Sequence, residues 1–288
     1  MALRPATRHL RWGQLRHSDI GVVAFVGLAN LQVRVGMEAL MIVFLHGVPE
    51  TANLWNDLRA ALQEPSIALA LPGFGAPRPP GFTATKDAYL AWLVAELEVL
   101  GEPVDLVGHD WGAILTLEVA RRRSDLVASW TVDLANALHP DYIWHGLASI
   151  WQTPEAGEQF WTDQLATSLA ERSGVFQLFG VPEAAALKLA EMADAQMAEC
   201  ILSLYRSATP NPFADWGGAL THCQAPGTVL IIENDAFGDA TLATEVADAL
   251  GARVQHIANR GHWWALEDPA GSATMLGQTL AAMREMER

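Results

Sequence analysis

Val107-Gly108-His109-Asp110-Trp111-Gly112 follows an apolar run, Pro103 to Val107, and opens a helical pattern from Ala113 to Arg123. This is the layout of a nucleophile elbow: a strand end, a tight turn with glycine on both sides, and a helix behind it. Where the esterase form of the motif carries serine, this chain carries Asp110. A carboxylate cannot serve a serine-type acyl transfer there, but it can attack an electrophilic carbon and form an alkyl ester with the enzyme. Taken alone, the stretch also reads as a plain strand-to-helix turn with Asp110 as its N-cap.

Working outward, Met41 to Leu45 is a continuous apolar run ending at His46-Gly47-Val48-Pro49, which reads as a buried parallel strand. Trp55 to Leu62 reads as a helix, Ile67 to Leu71 as a second strand and Asp87 to Leu100 as a helix leading into the elbow strand. Ser129 to Leu134 continues the pattern, which lapses into helical sequence from Ala135 to Gly217 and returns with Thr228 to Ile232 and Arg253 to Ile257. Strands alternating with helices predict an α/β fold with a doubly wound, mostly parallel sheet. The expected division is a core of residues 1–134 and 218–288 and a helical cap of residues 135–217 over the strand ends. Ligands of such sheets gather outside the carboxyl ends of the strands. Val22 to Val26 and Leu31 to Val35 suggest an N-terminal hairpin, and nothing before Met37 carries visible chemistry.

Composition excludes several classes. The 288 residues suffice for one large α/β domain with an insertion, and 33 acidic against 18 basic residues leave a net charge of -15. Nucleic acid is not expected as a partner, because binding it needs a basic footprint. Two cysteines, Cys200 and Cys223, cannot build a disulfide framework, and no Cys/His pair has zinc spacing, so neither metal nor cofactor is expected. Met1 to Arg16 is Arg-rich without the compact apolar segment and cleavage site of a secretory signal, although Gly21 to Leu31 is apolar. No apolar run reaches the length of a membrane span. A cytoplasmic protein acting on a small apolar substrate is the expectation, and a homodimer is left open.

Asp235 follows the Thr228 strand, and His262 follows the last strand in Arg260-Gly261-His262-Trp263-Trp264. The order nucleophile, acid, histidine is that of the α/β-hydrolase triad. On these pieces, together with His46-Gly47-Val48-Pro49 and Pro72-Gly73-Phe74-Gly75, the chain from about Met41 onward resembles the α/β-hydrolase superfamily. More closely, it is similar to the aspartate-nucleophile branch of epoxide hydrolases and haloalkane dehalogenases. The resemblance implies that Asp110 attacks carbon and that His262, oriented by Asp235, activates water to hydrolyse the ester. The backbone N–H groups of Trp111 and Val48 would hold the oxyanion. Asp239 competes with Asp235 as a nearby turn acid, and Asp133 is the serious rival, because some dehalogenases take their acid from that position. His46 and His109 read as residues that bond loop backbone near the site, with His46 also placed to meet substrate. His222, His256, Tyr89, Trp263 and Trp264 read as ordinary polar or packing residues.

The substrate class turns on the cap. Tyr205, in Leu204-Tyr205-Arg206, resembles a lid tyrosine that donates to the alkoxide in epoxide hydrolases. The segment Trp151-Gln152-Thr153-Pro154 resembles the stretch carrying their other tyrosine, yet His145 and Tyr142 are the nearby candidates for that second donor. For dehalogenation Trp111 would supply one indole N–H, and a lid tryptophan, Trp144 or Trp151, would have to supply the other, since the Val48 side chain cannot. Substrate contacts are therefore expected from Trp111, Trp151, His145, Tyr142 and His46. Epoxide opening to a vicinal diol is the leading expectation and haloalkane dehalogenation the alternative. A non-enzymatic binding protein on the same fold comes last, because the triad residues are all present. Without the arginines of fluoroacetate dehalogenases near the elbow, anionic substrates are disfavoured.

Overall fold

In the computed structural model, the structure describes residues 40–216 and 220–286, so the expected N-terminal hairpin lies outside the described residues. Six strands form one sheet: β1 (Ile42–Leu45), β2 (Ser66–Leu69), β3 (Val104–Gly108), β4 (Val127–Val132), β5 (Gly227–Asn234) and β6 (Arg253–Gly261). Their order is β2-β1-β3-β4-β5-β6, and every pairing is parallel. β1, β3 and β4 are buried along their whole length, which is why they read as unbroken apolar runs rather than alternating ones.

Side chains alternate between the two faces. Ile42 and Phe44 join Leu58 of α1 (Asn56–Leu62) and Leu276 and Leu280 of α12 (Pro269–Met286) on one face. Val43 and Leu45 join α2 (Lys86–Leu100), α3 (Trp111–Arg122) and α10 (Ala240–Leu250) on the other. The chain moves from β1 outward to β2 and then crosses to the opposite side at β3, so the sheet reverses its winding between β1 and β3. Leu45 is level with Gly108 across that pair, which brings the turn after β1 beside the elbow at the switch point, where doubly wound sheets bind ligands.

Between β4 and β5 come α4 (Gly146–Gln152), α5 (Ala156–Ala166), α6 (Leu169–Leu178), α7 (Glu183–Met192), α8 (Ala195–Arg206) and α9 (Pro212–Trp216). The first residues after β4, Ala135–Leu138, form a tight helical turn packed on α10. α11 (Trp264–Glu267) follows β6. Several strand ends differ from the expected ones. β4 stops at Val132 because Asp133 is diverted into side-chain bonding and Leu134 turns to φ 31°. β2 stops at Leu69, and the N–H of Leu71 donates to a histidine rather than to the sheet. β6 runs on to Gly261, which delivers His262 directly from the strand.

Candidate active site

The elbow is strained at its apex. Asp110 has φ 51° and ψ -120°, a conformation that non-glycine residues rarely adopt. Glycine on either side is a matter of space: a Cβ on Gly108 would run into the Gly112 carbonyl and the Thr116 hydroxyl, and one on Gly112 into the Leu45 carbonyl. The turn aims the Asp110 carboxylate into a cavity of about 300 Å³ between the strand ends and the helices that follow β4. The N–H of Val48 donates to Asp110 Oδ1 at 2.7 Å, and the N–H of Trp111 lies close enough to favour the charged carboxylate. Both expected oxyanion donors therefore already address the group on which an oxyanion would form. Burial, and Glu50 beside it, raise the Asp110 pKa to about 6 against the pull of His262 and His109.

His262 Nδ1 lies 2.9 Å from Asp235 Oδ2, and both side chains are almost completely buried. The other oxygen of Asp235 accepts from the N–H of Phe237 at 2.8 Å, which fixes the carboxylate in its turn. Burial and His109 work against a charge on His262, but Asp235 and Asp110 outweigh them and its pKa lies above the ordinary value. Asp239 caps α10, bonding the N–H groups of Thr241 and Leu242.

Asp133 is bound elsewhere. Its Oδ2 lies 2.6 Å from His109 Nδ1 and accepts from the Trp264 indole at 2.8 Å, and its Oδ1 accepts from the Asp110 N–H at 2.9 Å. Burial opposes charge on both partners, yet their attraction wins: Asp133 is held below the usual carboxylate range and His109 is pushed up to about 10. Asp133 therefore braces the elbow through an aspartate–imidazolium pair and makes no hydrogen bond to His262.

Of the expected substrate contacts, His145, Trp151 and Tyr205 line the cavity together with Asp110 and His262. His145 Nδ1 accepts from the Ala148 N–H at 3.2 Å, capping α4, so its proton belongs on Nε2. Burial, and then His262, hold its pKa near 4, and the ring is neutral at physiological pH. Tyr205 is buried against Trp111 and Trp151, at 5.5 and 4.8 Å between ring centroids, and burial together with Asp110 keeps its hydroxyl protonated. The other three depart from expectation. His46 is fully buried, with Nδ1 2.8 Å from the Gly47 carbonyl and Nε2 accepting from Leu71, so both nitrogens are spent on loop backbone; burial lowers its pKa to about 4. Tyr142 packs on Trp144 and is not on the cavity wall. Trp111 stacks on Trp144 at 5.7 Å behind the wall, with its indole N–H beside the Tyr205 hydroxyl.

Sequence reading missed Glu50. It is fully buried, and its Oε1 accepts from the Trp263 indole at 2.8 Å while its Oε2 has no partner. One polar atom each of Glu50, His109 and His262 lie within 4.8 Å of one another, and His109 Nε2 is likewise unpartnered. An acceptor for His109, a donor for Glu50 and a proton for His262 to remove are all met by a water molecule. The only sequence signal was an acid directly after the His46 turn.

A family model described as the alpha/beta hydrolase family matches residues 42–274. The chain belongs to the alpha/beta hydrolase family. Among solved structures of this fold, one from Pseudomonas aeruginosa assigned as an epoxide hydrolase has a TM-score of 0.70 and 19% identity, covering 87% of this chain and 91% of that one. A haloalkane dehalogenase variant from Bradyrhizobium elkanii has a TM-score of 0.65 and 20% identity, over 87% and 92% of the two chains. A Mycobacterium tuberculosis protein named "Probable oxidoreductase EphD" is 31% identical over 159 residues, 51% of this hydrolase chain. That match spans about a quarter (26%) of the relative's length.

Proposed function

We propose that this hydrolase opens epoxides to vicinal diols through an ester on Asp110. The observation that carries the reading is that two side chains held in proton-donating form, Tyr205 and neutral His145, share the cavity wall with the Asp110 carboxylate. Ionised Asp110 attacks an epoxide carbon, the C–O bond of the ring breaks, and the nascent alkoxide receives hydrogen bonds from Tyr205 O–H and His145 Nε2–H. Esterification removes the Asp110 charge, one of the groups that raise the His262 pKa, so alkylation itself favours the neutral imidazole that the second step requires. Water placed between Glu50, His109 and His262 loses a proton to His262 and adds to the Asp110 carboxyl carbon. The N–H groups of Val48 and Trp111 hold the oxyanion, which collapses with release of the alcohol oxygen.

Haloalkane dehalogenation is the second reading, favoured by the unpartnered indole N–H of Trp151 on the cavity wall, which suits a departing halide. A side-by-side assay of an aryl epoxide and a bromoalkane tests the choice. Diol formation without appreciable bromide release supports the epoxide reading, and the reverse transfers the same ester chemistry to haloalkanes. A purely binding role is disfavoured by the intact bond between His262 and Asp235.

A further inference from the structure

The catalytic cavity has a second polar end, inside the cap. α6 and its terminal residue present Arg172, Val175, Phe176 and Phe179 to the cavity, one face of a helix at i, i+3, i+4 and i+7. Phe179 marks the end beside the chemistry: it lies 5.8 Å from both Phe237 and Trp263, whose rings flank His262 at 4.8 and 4.7 Å. Arg172 is seven residues earlier, or about 10 Å along the helix axis.

At that distance the wall changes character. Nη1 of Arg172 donates to the carbonyls of Gln164, Leu165 and Thr167 at 3.4, 3.2 and 2.9 Å, closing the C-terminal end of α5 and fixing the guanidinium. That duty occupies Nη1 alone. Among the described residues, Arg172 Nη2 makes no hydrogen bond and Arg172 has no carboxylate partner, whereas Arg206 has one and Arg123 and Arg284 have two each. The side-chain amide of Gln164, also on the wall, bonds nothing, and Trp161, one turn earlier on α5, buries an indole N–H without an acceptor. Among the described residues, the only carboxylate on the cavity wall is Asp110, at the other end. Arg172, Gln164 and Trp161 thus share one cavity lining with hydrogen-bonding capacity unused and no carboxylate paired to the guanidinium, and of the groups a ligand could bring there a carboxylate matches a guanidinium best.

We infer that the cap end of the cavity binds a carboxylate carried at the far end of an otherwise apolar substrate, with Arg172 as its main contact and Gln164 beside it. Joined to the epoxide reading, on which this clause rests, the substrate is an epoxide separated by an apolar chain from a carboxylic acid. This reverses the expectation from net charge and from the residues near the elbow that anions are disfavoured.

The binding half is tested without any chemistry, by calorimetric titration of octanoate, octanol and methyl octanoate into the wild-type protein, Arg172→Met and Gln164→Leu at neutral pH. The expected result is octanoate binding about ten- to a hundredfold more tightly than either neutral ligand. Arg172→Met should abolish that preference and Gln164→Leu should reduce it. Equal binding of the three ligands by the wild-type protein overturns the inference and needs no variant to fold. So does an undiminished preference in Arg172→Met. In a parallel assay, an epoxyalkanoate should exceed its methyl ester in kcat/KM by a similar factor. Should neither epoxide be opened while octanoate still depends on Arg172, the epoxide reading fails and carboxylate recognition stands.

Discussion

Asp235 and Asp133 both lie near His262, but only Asp235 bonds it: its Oδ2 is 2.9 Å from His262 Nδ1, whereas Asp133 spends its oxygens on His109, Trp264 and the Asp110 N–H. Replacement should therefore separate function from stability. Asp235→Asn should leave the fold intact and lower turnover by several orders of magnitude, because the imidazole loses the partner that sets its tautomer and stabilises its charge. Asp133→Asn should destabilise the fold by about 3–5 kcal/mol, the cost of breaking a buried charge pair by removing one partner. Chemical denaturation of both variants beside steady-state rates checks this, and a stable but inactive Asp133→Asn protein would contradict it.

The same pair makes stability depend on pH in a definite direction. His109 is raised from 6.5 to about 10, so its contribution is complete below pH 6.5 and is lost as pH rises towards 10. Asp133 is lowered, so its share is present above the ordinary aspartate range and is lost in acid. Denaturation midpoints should fall between neutral pH and pH 10 in the wild-type protein, and this decline should be absent from Asp133→Asn.

The two half-reactions should titrate differently. Ester formation requires ionised Asp110 and should decline as pH falls through about 6. Ester hydrolysis requires neutral His262, whose pKa is raised in the free enzyme and relieved when Asp110 is esterified. Rapid-quench measurements across pH resolve the steps, and a shared single pKa would contradict the separation.

Tyr205→Phe and His145→Phe should each slow alkylation by an epoxide about ten- to a hundredfold, the loss of a donor worth about 1.5–3 kcal/mol to a charged acceptor. Tyr142→Phe should have a smaller effect, because Tyr142 feels the charges of Asp110 and Asp235 but does not line the cavity. Pre-steady-state alkylation rates decide this. An effect confined to Tyr142→Phe would reassign the donor.

The elbow, the sheet and the meeting of Asp235 with His262 were legible because each is written in residue types with few substitutes: the glycines around Asp110, the unbroken apolar runs of β1 and β3, and a histidine after the last strand. What escaped depended on tertiary position. Glu50 sits one residue beyond a recognised turn, but nothing in the sequence says that the acid is buried with one oxygen facing His109 and His262. His46 looked like a substrate contact by its place in the motif, and only the fold shows both nitrogens taken by backbone. Arg172 lies in a stretch of ordinary helical sequence, where its cavity face emerges only once α5 and α6 are packed together.

The central claim, that Asp110 forms an ester with the substrate, is tested most directly by a single turnover of epoxide in heavy-oxygen water with enzyme in excess. If water adds at the Asp110 carboxyl carbon, the diol leaves with an oxygen taken from the protein, and the label remains in the peptide carrying Asp110. The diol should therefore be unlabelled and that peptide should gain one heavy oxygen. Heavy oxygen appearing in the first-turnover diol, with none in the Asp110 peptide, would mean that water attacks the epoxide itself and that Asp110 is not the nucleophile.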